Sequence, residues 1–137
     1  MNNKRSKTRT SLPPEQTIIV VCRGGDCGSR RKHANLDHAQ QLAAIREATA
    51  GHATVLVSKC LDACSHSNVV VVVPDLENQR LAAQPVWLGD VNNDEITADL
   101  IEWSRSSACW TVRPPALIDI HQFTPTRQSR NELKDAI

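Results

Sequence analysis

Two short cysteine pairs constrain this chain more than any other feature. The first reads Cys22-Arg-Gly-Gly-Asp-Cys27 and the second Cys60-Leu-Asp-Ala-Cys64, with 32 residues between them. Each pair borders an apolar, β-like run. That interval is long enough for one helix and one strand, so the two loops can meet in space and offer four thiolates to one centre.

Thiolate sulfur is a soft ligand, and four of them suit zinc or an iron–sulfur cluster. The first loop contains Gly24 and Gly25, with Gly28 just beyond. Glycine lets a backbone curl closely around a bulky group. The second loop has no glycine and is expected to be stiffer, with Asp62 turned to solvent. Arg23, Arg30, Arg31, Lys32 and Lys59 lie near the cysteines in sequence, against Asp26 and Asp62. Such cations would offset an anionic centre and favour its reduced form; equally, they describe a basic, soluble surface. C-x2–4-C spacings are also zinc spacings, so by spacing alone the two metals stand level. Five cysteines is an odd count, which fits a four-ligand centre plus one spare, Cys109, better than a disulfide set.

The rest of the chain supplies a frame for these loops. Residues 1–15 are polar and basic, with Lys4, Arg5, Lys7 and Arg9 and no acid before Glu15, and read as a disordered arm. Thr17–Val21 is a β-branched first strand that delivers Cys22. Residues 35–50 form a helix with Asn35 as N-cap, Asp37 in the first turn, Leu36, Ala39, Leu42, Ala43 and Ile45 inward, and Gly51 as the stop. His52–Ser58 is a second strand leading to Cys60. Val69–Val73 is five valines without a polar face, a strand buried on both sides and ended by Pro74. A polar connector over 75–84 leads to a fourth strand, Pro85–Leu88, pairing with the valine strand as an antiparallel hairpin. A second helix starts at Asn92, with Asn92 and Glu95 as a capping box and Ile96, Leu100 and Trp103 on one face. Its acids Asp94, Glu95, Asp99 and Glu102 read as a solvated face, with a docking patch for a basic redox partner as the alternative. Beyond Ser106 lies a partly packed tail broken by Pro114-Pro115, with an apolar piece at Ala116–Ile120 and ten mobile residues at the end. With four cysteines in place, His33 and His38 read as surface histidines; His66, two residues after Cys64, is better placed to hydrogen-bond the centre, although a plain loop histidine is the simpler reading.

These features, in this order, resemble the thioredoxin-like [2Fe-2S] ferredoxins, in particular small bacterial (2Fe-2S) ferredoxin domain proteins. The matching stretches are VVCRGGDCGS (20–29), SKCLDACSHSNVVVVVP (58–74) and PVWLGDVNNDEITADLIEW (85–103), covering about 17–103. The resemblance implies an α/β thioredoxin-like ferredoxin fold over 16–106, with one mixed sheet of about four strands and two main helices, and 107–137 as the tail. It implies that Cys22, Cys27, Cys60 and Cys64 hold one [2Fe-2S] cluster, which favours iron–sulfur over a structural zinc site. The expected function is one-electron transfer to an unidentified redox partner, and the family's homodimers would cover the second face of the valine strand. This chain departs from the family at Asp62 or Ala63, where Gly is frequent, at Ser67-Asn68, where Gly-Pro is frequent, and at Trp87, where Tyr is frequent.

Composition narrows the function classes. The net charge is +1, and no apolar run approaches the ~20 residues of a membrane-spanning helix. Neither nucleic acid nor membrane is an expected partner, and the basic N-terminus lacks the apolar core of a secretory signal, so a cytoplasmic protein is expected. There is no Ser-His-Asp set, phosphate loop or C-x-x-C to support an enzyme.

Overall fold

The computed structural model describes residues 16–106 and 109–137, so the basic arm expected over 1–15 lies outside the described residues. Four strands form one mixed sheet: β1 (Thr17–Cys22), β2 (Ala53–Ser58), β3 (Val70–Val73) and β4 (Val86–Leu88), in the spatial order β2-β1-β3-β4. β1 runs parallel to β2 and antiparallel to β3, and β3 runs antiparallel to β4. Among the described residues five α-helices accompany the sheet: α1 (His38–Thr49), α2 (Leu76–Arg80), α3 (Asp94–Arg105), α4 (Ala116–His121) and α5 (Arg127–Ala136). Among the described residues no helix is long and apolar enough to cross a membrane.

The β-branched runs became strands because both faces of the sheet are covered. Alternate residues point to opposite sides of a strand, and two apolar clusters follow from that period. On one face Ile19, Val21, Val70, Val72 and Leu88 pack with Ile45 of α1, Ile96, Leu100 and Trp103 of α3, and Ile118 of α4. On the other, Ile18, Val20, Cys22, Val71, Val73 and Trp87 pack with Cys27, Leu61, Phe123 and Leu133 of α5. All four residues of β3 are buried, as expected of a run without a polar face.

The helices depart from expectation in informative ways. α1 starts at His38, not near Asn35, because Asp37 is its N-cap and accepts from the Gln40 N–H at 3.0 Å. Of the expected inward residues Leu36, Leu42 and Ile45 do pack inward, while Ala39 and Ala43 are exposed and Gln41 and Thr49 are buried in their place. Gln41 is buried because its amide donates to the Val91 carbonyl and the Thr97 hydroxyl, each at 3.0 Å, tying α1 to α3. α3 is capped by Asn93, whose Oδ1 accepts from Ile96 N–H, so the cap lies one residue beyond Asn92. Ile96, Leu100 and Trp103 do form its buried face. The polar connector contains α2, and the terminal segment contains α4 and α5, so there are three helices beyond the two main ones expected. The last ten residues, expected to be mobile, are nearly all α5, which buries Ser129 and Leu133.

Candidate metal centre

The parallel pairing of β1 and β2 brings the two cysteine loops together. Cys22, the last residue of β1, is in register with Ser58, the last of β2, and Cys60 follows two residues later. The Arg23 N–H donates to the Ser58 carbonyl at 3.1 Å, and the Cys22 N–H donates to Val69 at 3.1 Å, which holds the first loop against the second strand and the start of the valine strand. Beyond these anchors the loops touch. A Cβ on Gly24 would collide with the Cys60 amide nitrogen, so only glycine admits this approach. Gly25, at φ +56°, turns its open side to the sulfurs: a Cβ there would lie 2.9 Å from Cys64 Sγ and 3.5 Å from Cys60 Sγ.

The four thiols stand as two pairs of different character. Cys22 and Cys27 are each 1% exposed, with Cys27 on a short 3-10 turn (Gly25–Gly28). Cys60 and Cys64 are half-buried, with sulfurs 3.5 Å apart. Two sulfurs bound at about 2.3 Å to one tetrahedral metal ion lie about 3.8 Å apart, so this pair needs little adjustment to share one. Backbone amides point at the sulfurs: Val69 N–H donates to Cys27 Sγ and Asp62 N–H to Cys60 Sγ, each at 3.3 Å. Among the described residues no three or more histidine, cysteine, aspartate or glutamate side chains converge closely enough to hold a single ion.

The electrostatics follow from this crowding. The Cys27 thiol donates to Cys22, and with the Gly24 and Leu61 amides it outweighs burial and lowers the Cys22 thiol to about 6. Cys27 keeps the proton, and that hydrogen bond together with burial raises it. At Cys60 the Asp62 amide favours the thiolate, yet burial and the neighbouring Cys64 together outweigh it and the net shift is upward. The cation nearest this chemistry is Arg23. Its guanidinium donates to the carbonyls of Cys22 and His38 and to Gln41 Oε1, at 2.8–3.2 Å. All three acceptors are neutral. Burial lowers its pKa, and the electrostatic pull of Cys27 and then Cys22 opposes that shift. Arg30, Arg31 and Lys59 are exposed, and exposed Lys32 pairs with Asp26 at 2.9 Å.

The three histidines singled out in the sequence are half-buried rather than plain surface residues, His38 as the first residue of α1 and His33 and His66 beside the cysteine loops. His33 Nε2 lies 2.8 Å from Ser67 Oγ, linking the first loop to the segment after Cys64. His38 is pushed down by burial and then by Arg23. His66 is stacked on Phe123 with ring centroids 3.9 Å apart and planes 7° from parallel. Cys109 is apart from the pairs, 4% exposed in the cluster on the opposite face of the sheet, where burial raises its thiol to about 11.

Sequence reasoning missed the contribution of the terminal segment. The Ser129 hydroxyl of α5 donates to the Asp62 carbonyl, between Cys60 and Cys64, at 3.0 Å. The pair is 67 residues apart, and no local pattern around Ser129 announces it. No protein-family model, curated protein or solved structure matches this chain.

Proposed function

We propose that this protein is an electron carrier that holds one [2Fe-2S] cluster on Cys22, Cys27, Cys60 and Cys64, within a thioredoxin-like ferredoxin fold. The observation that carries the reading is two cysteine pairs, on loops that touch at Gly24 and Cys60, at one end of the sheet. A single zinc needs four sulfurs around one point, whereas in a two-iron core each iron takes two protein ligands. Two cysteine pairs on adjoining loops suit the second, one pair for each iron. Gly25 leaves room beside the outer pair, and the Val69 and Asp62 amides offer hydrogen bonds to sulfur that would stabilise the more negative, reduced state. Arg23, half-buried and held by three neutral acceptors, supplies a positive charge beside Cys22.

When bound, the cluster would supply one-electron redox chemistry. The chain's own part is to exclude water from Cys22 and Cys27 and to leave the Cys60–Cys64 side open to a redox partner. The expected partner is another redox protein, and the basic residues around the first loop would favour an acidic docking face. The alternative, a zinc-bound scaffold, rests on the same four thiols. Visible absorption of anaerobically purified protein, before and after dithionite, separates the two when iron, sulfide and zinc are assayed on the same sample. Two irons and two sulfides per chain with bleaching on reduction is the expected result. A colourless protein with one zinc, unable to take up iron and sulfide, would overturn it.

A further inference from the structure

The segment after Pro115 does more than cover a sheet face. Two of its side chains reach the second cysteine loop, and a third secures the helix on the sheet. Phe123 stacks on His66, two residues past Cys64. Leu133 enters the cluster that contains Cys22, Cys27 and Leu61. Ser129, 1% exposed, donates its hydroxyl to the Asp62 carbonyl. This last bond is the end of an oriented chain. Thr126 caps α5 by accepting from the Ser129 N–H at 3.0 Å, its own hydroxyl donates to Ser129 Oγ at 3.1 Å, and the Ser129 hydroxyl donates in turn to the Asp62 carbonyl. Hydrogen bonds linked in this way reinforce one another.

Asp62 is the residue on which such an anchor has leverage. It has φ +58°, a left-handed conformation unfavourable for a residue with a Cβ, and it persists only where its surroundings hold it. Two bonds do so from opposite sides: its N–H donates to Cys60 Sγ, and its carbonyl accepts from Ser129. Without Ser129 the Asp62–Ala63 peptide loses its anchor, and the left-handed Asp62 backbone, which also sets the direction of the preceding amide aimed at Cys60, is held by one bond fewer.

We infer that Ser129 is a positioning residue for the outer cysteine pair, through which α5 fixes the Cys60–Cys64 loop and limits access to it. The inference rests on the proposed role of these cysteines as ligands, but its physical content concerns the loop and can be tested on the empty, reduced chain. Full-length protein freed of metal and reduced under argon is treated with iodoacetamide, and alkylation is followed at each cysteine by peptide mass spectrometry. Ser129→Ala should speed alkylation of Cys60 and Cys64 about fivefold, the population change equivalent to one ordinary hydrogen bond, with Cys22, Cys27 and Cys109 unchanged. Ser129→Thr, which keeps the hydroxyl, should restore the wild-type rates. Unchanged rates at Cys60 and Cys64 in Ser129→Ala, an equal rise at all five cysteines, or failure of threonine to restore them would overturn the inference. In chains reconstituted with iron and sulfide, Ser129→Ala should lose visible absorption to an iron chelator about fivefold faster than the wild type; an equal rate would overturn it too. A wild-type chain that takes up no iron and sulfide would sink the electron-carrier reading, while the alkylation rates would still decide the role of Ser129.

Discussion

Asp62 is exposed, but its backbone is in the region that favours glycine. Glycine adopts that conformation without a Cβ penalty. Asp62→Gly should therefore raise stability by about 0.5–1 kcal/mol in denaturant unfolding, the gain being limited by the extra freedom of glycine in the unfolded chain. The reverse logic applies at Gly24, where a methyl would meet the Cys60 backbone, which cannot swing aside like a flexible side chain. Gly24→Ala should cost about 1–3 kcal/mol by the same measurement and separate the two loops. Cys109 gives a pH prediction. Its folded value, about 11, lies above the unfolded 9.0, so folding favours the neutral thiol. The associated stability is fully present below pH 9 and is lost as pH rises towards 11. A plot of unfolding free energy against pH should fall in that window by on the order of 2 kcal/mol more for the wild type than for Cys109→Ala. The four ligand candidates were legible because chemistry dictates their spacing. Arg23 was legible as a nearby cation, but its fixation by Gln41 and His38 was not, since those contacts depend on how α1 packs.

Strands proved easier to read than helix ends. A β-branched run with no polar face has few alternatives to a doubly covered strand, and Val70–Val73 is one. Caps are competitions between neighbours. Asn92 and Asn93 are equally suited to cap α3, and the register was decided elsewhere, because Asn92 Oδ1 accepts from the Asn68 backbone and side-chain N–H groups at 3.1 and 2.6 Å. Asn93→Ala should thus cost about 1 kcal/mol as a lost N-cap, seen in thermal unfolding, and Asn93→Ser should recover most of it. Around α1 the apolar periodicity found Leu36, Leu42 and Ile45 but not the whole inward face, because buried hydrogen bonds made Gln41 and Thr49 better core residues than Ala39 and Ala43. α5 carried almost no signal: a strongly polar helix holds its place through one leucine and one serine a turn apart.

Taken whole, the molecule resolves the difficulty posed by its valine strand. Two helices on one face would leave the other bare, and a second copy of the chain was the expected cover. Here Phe123 and Leu133 of the same chain lie on that face. Full-length protein should accordingly run as a monomer in light scattering, and Leu133→Ala should cost about 2–4 kcal/mol and promote association by baring that surface. The resemblance to ferredoxins extended over 17–103, so the part of the chain it left out is the part that completes the second core and anchors a cysteine loop. That division has a consequence for how the protein is made. The Asp62 carbonyl leaves the ribosome 67 residues ahead of the Ser129 hydroxyl that will hold it. At about 5–20 residues per second, the nascent chain spends roughly 3–13 s with all four thiols synthesised and the latch still unmade. Cofactor delivery during translation would meet a looser doorway than delivery to the finished protein.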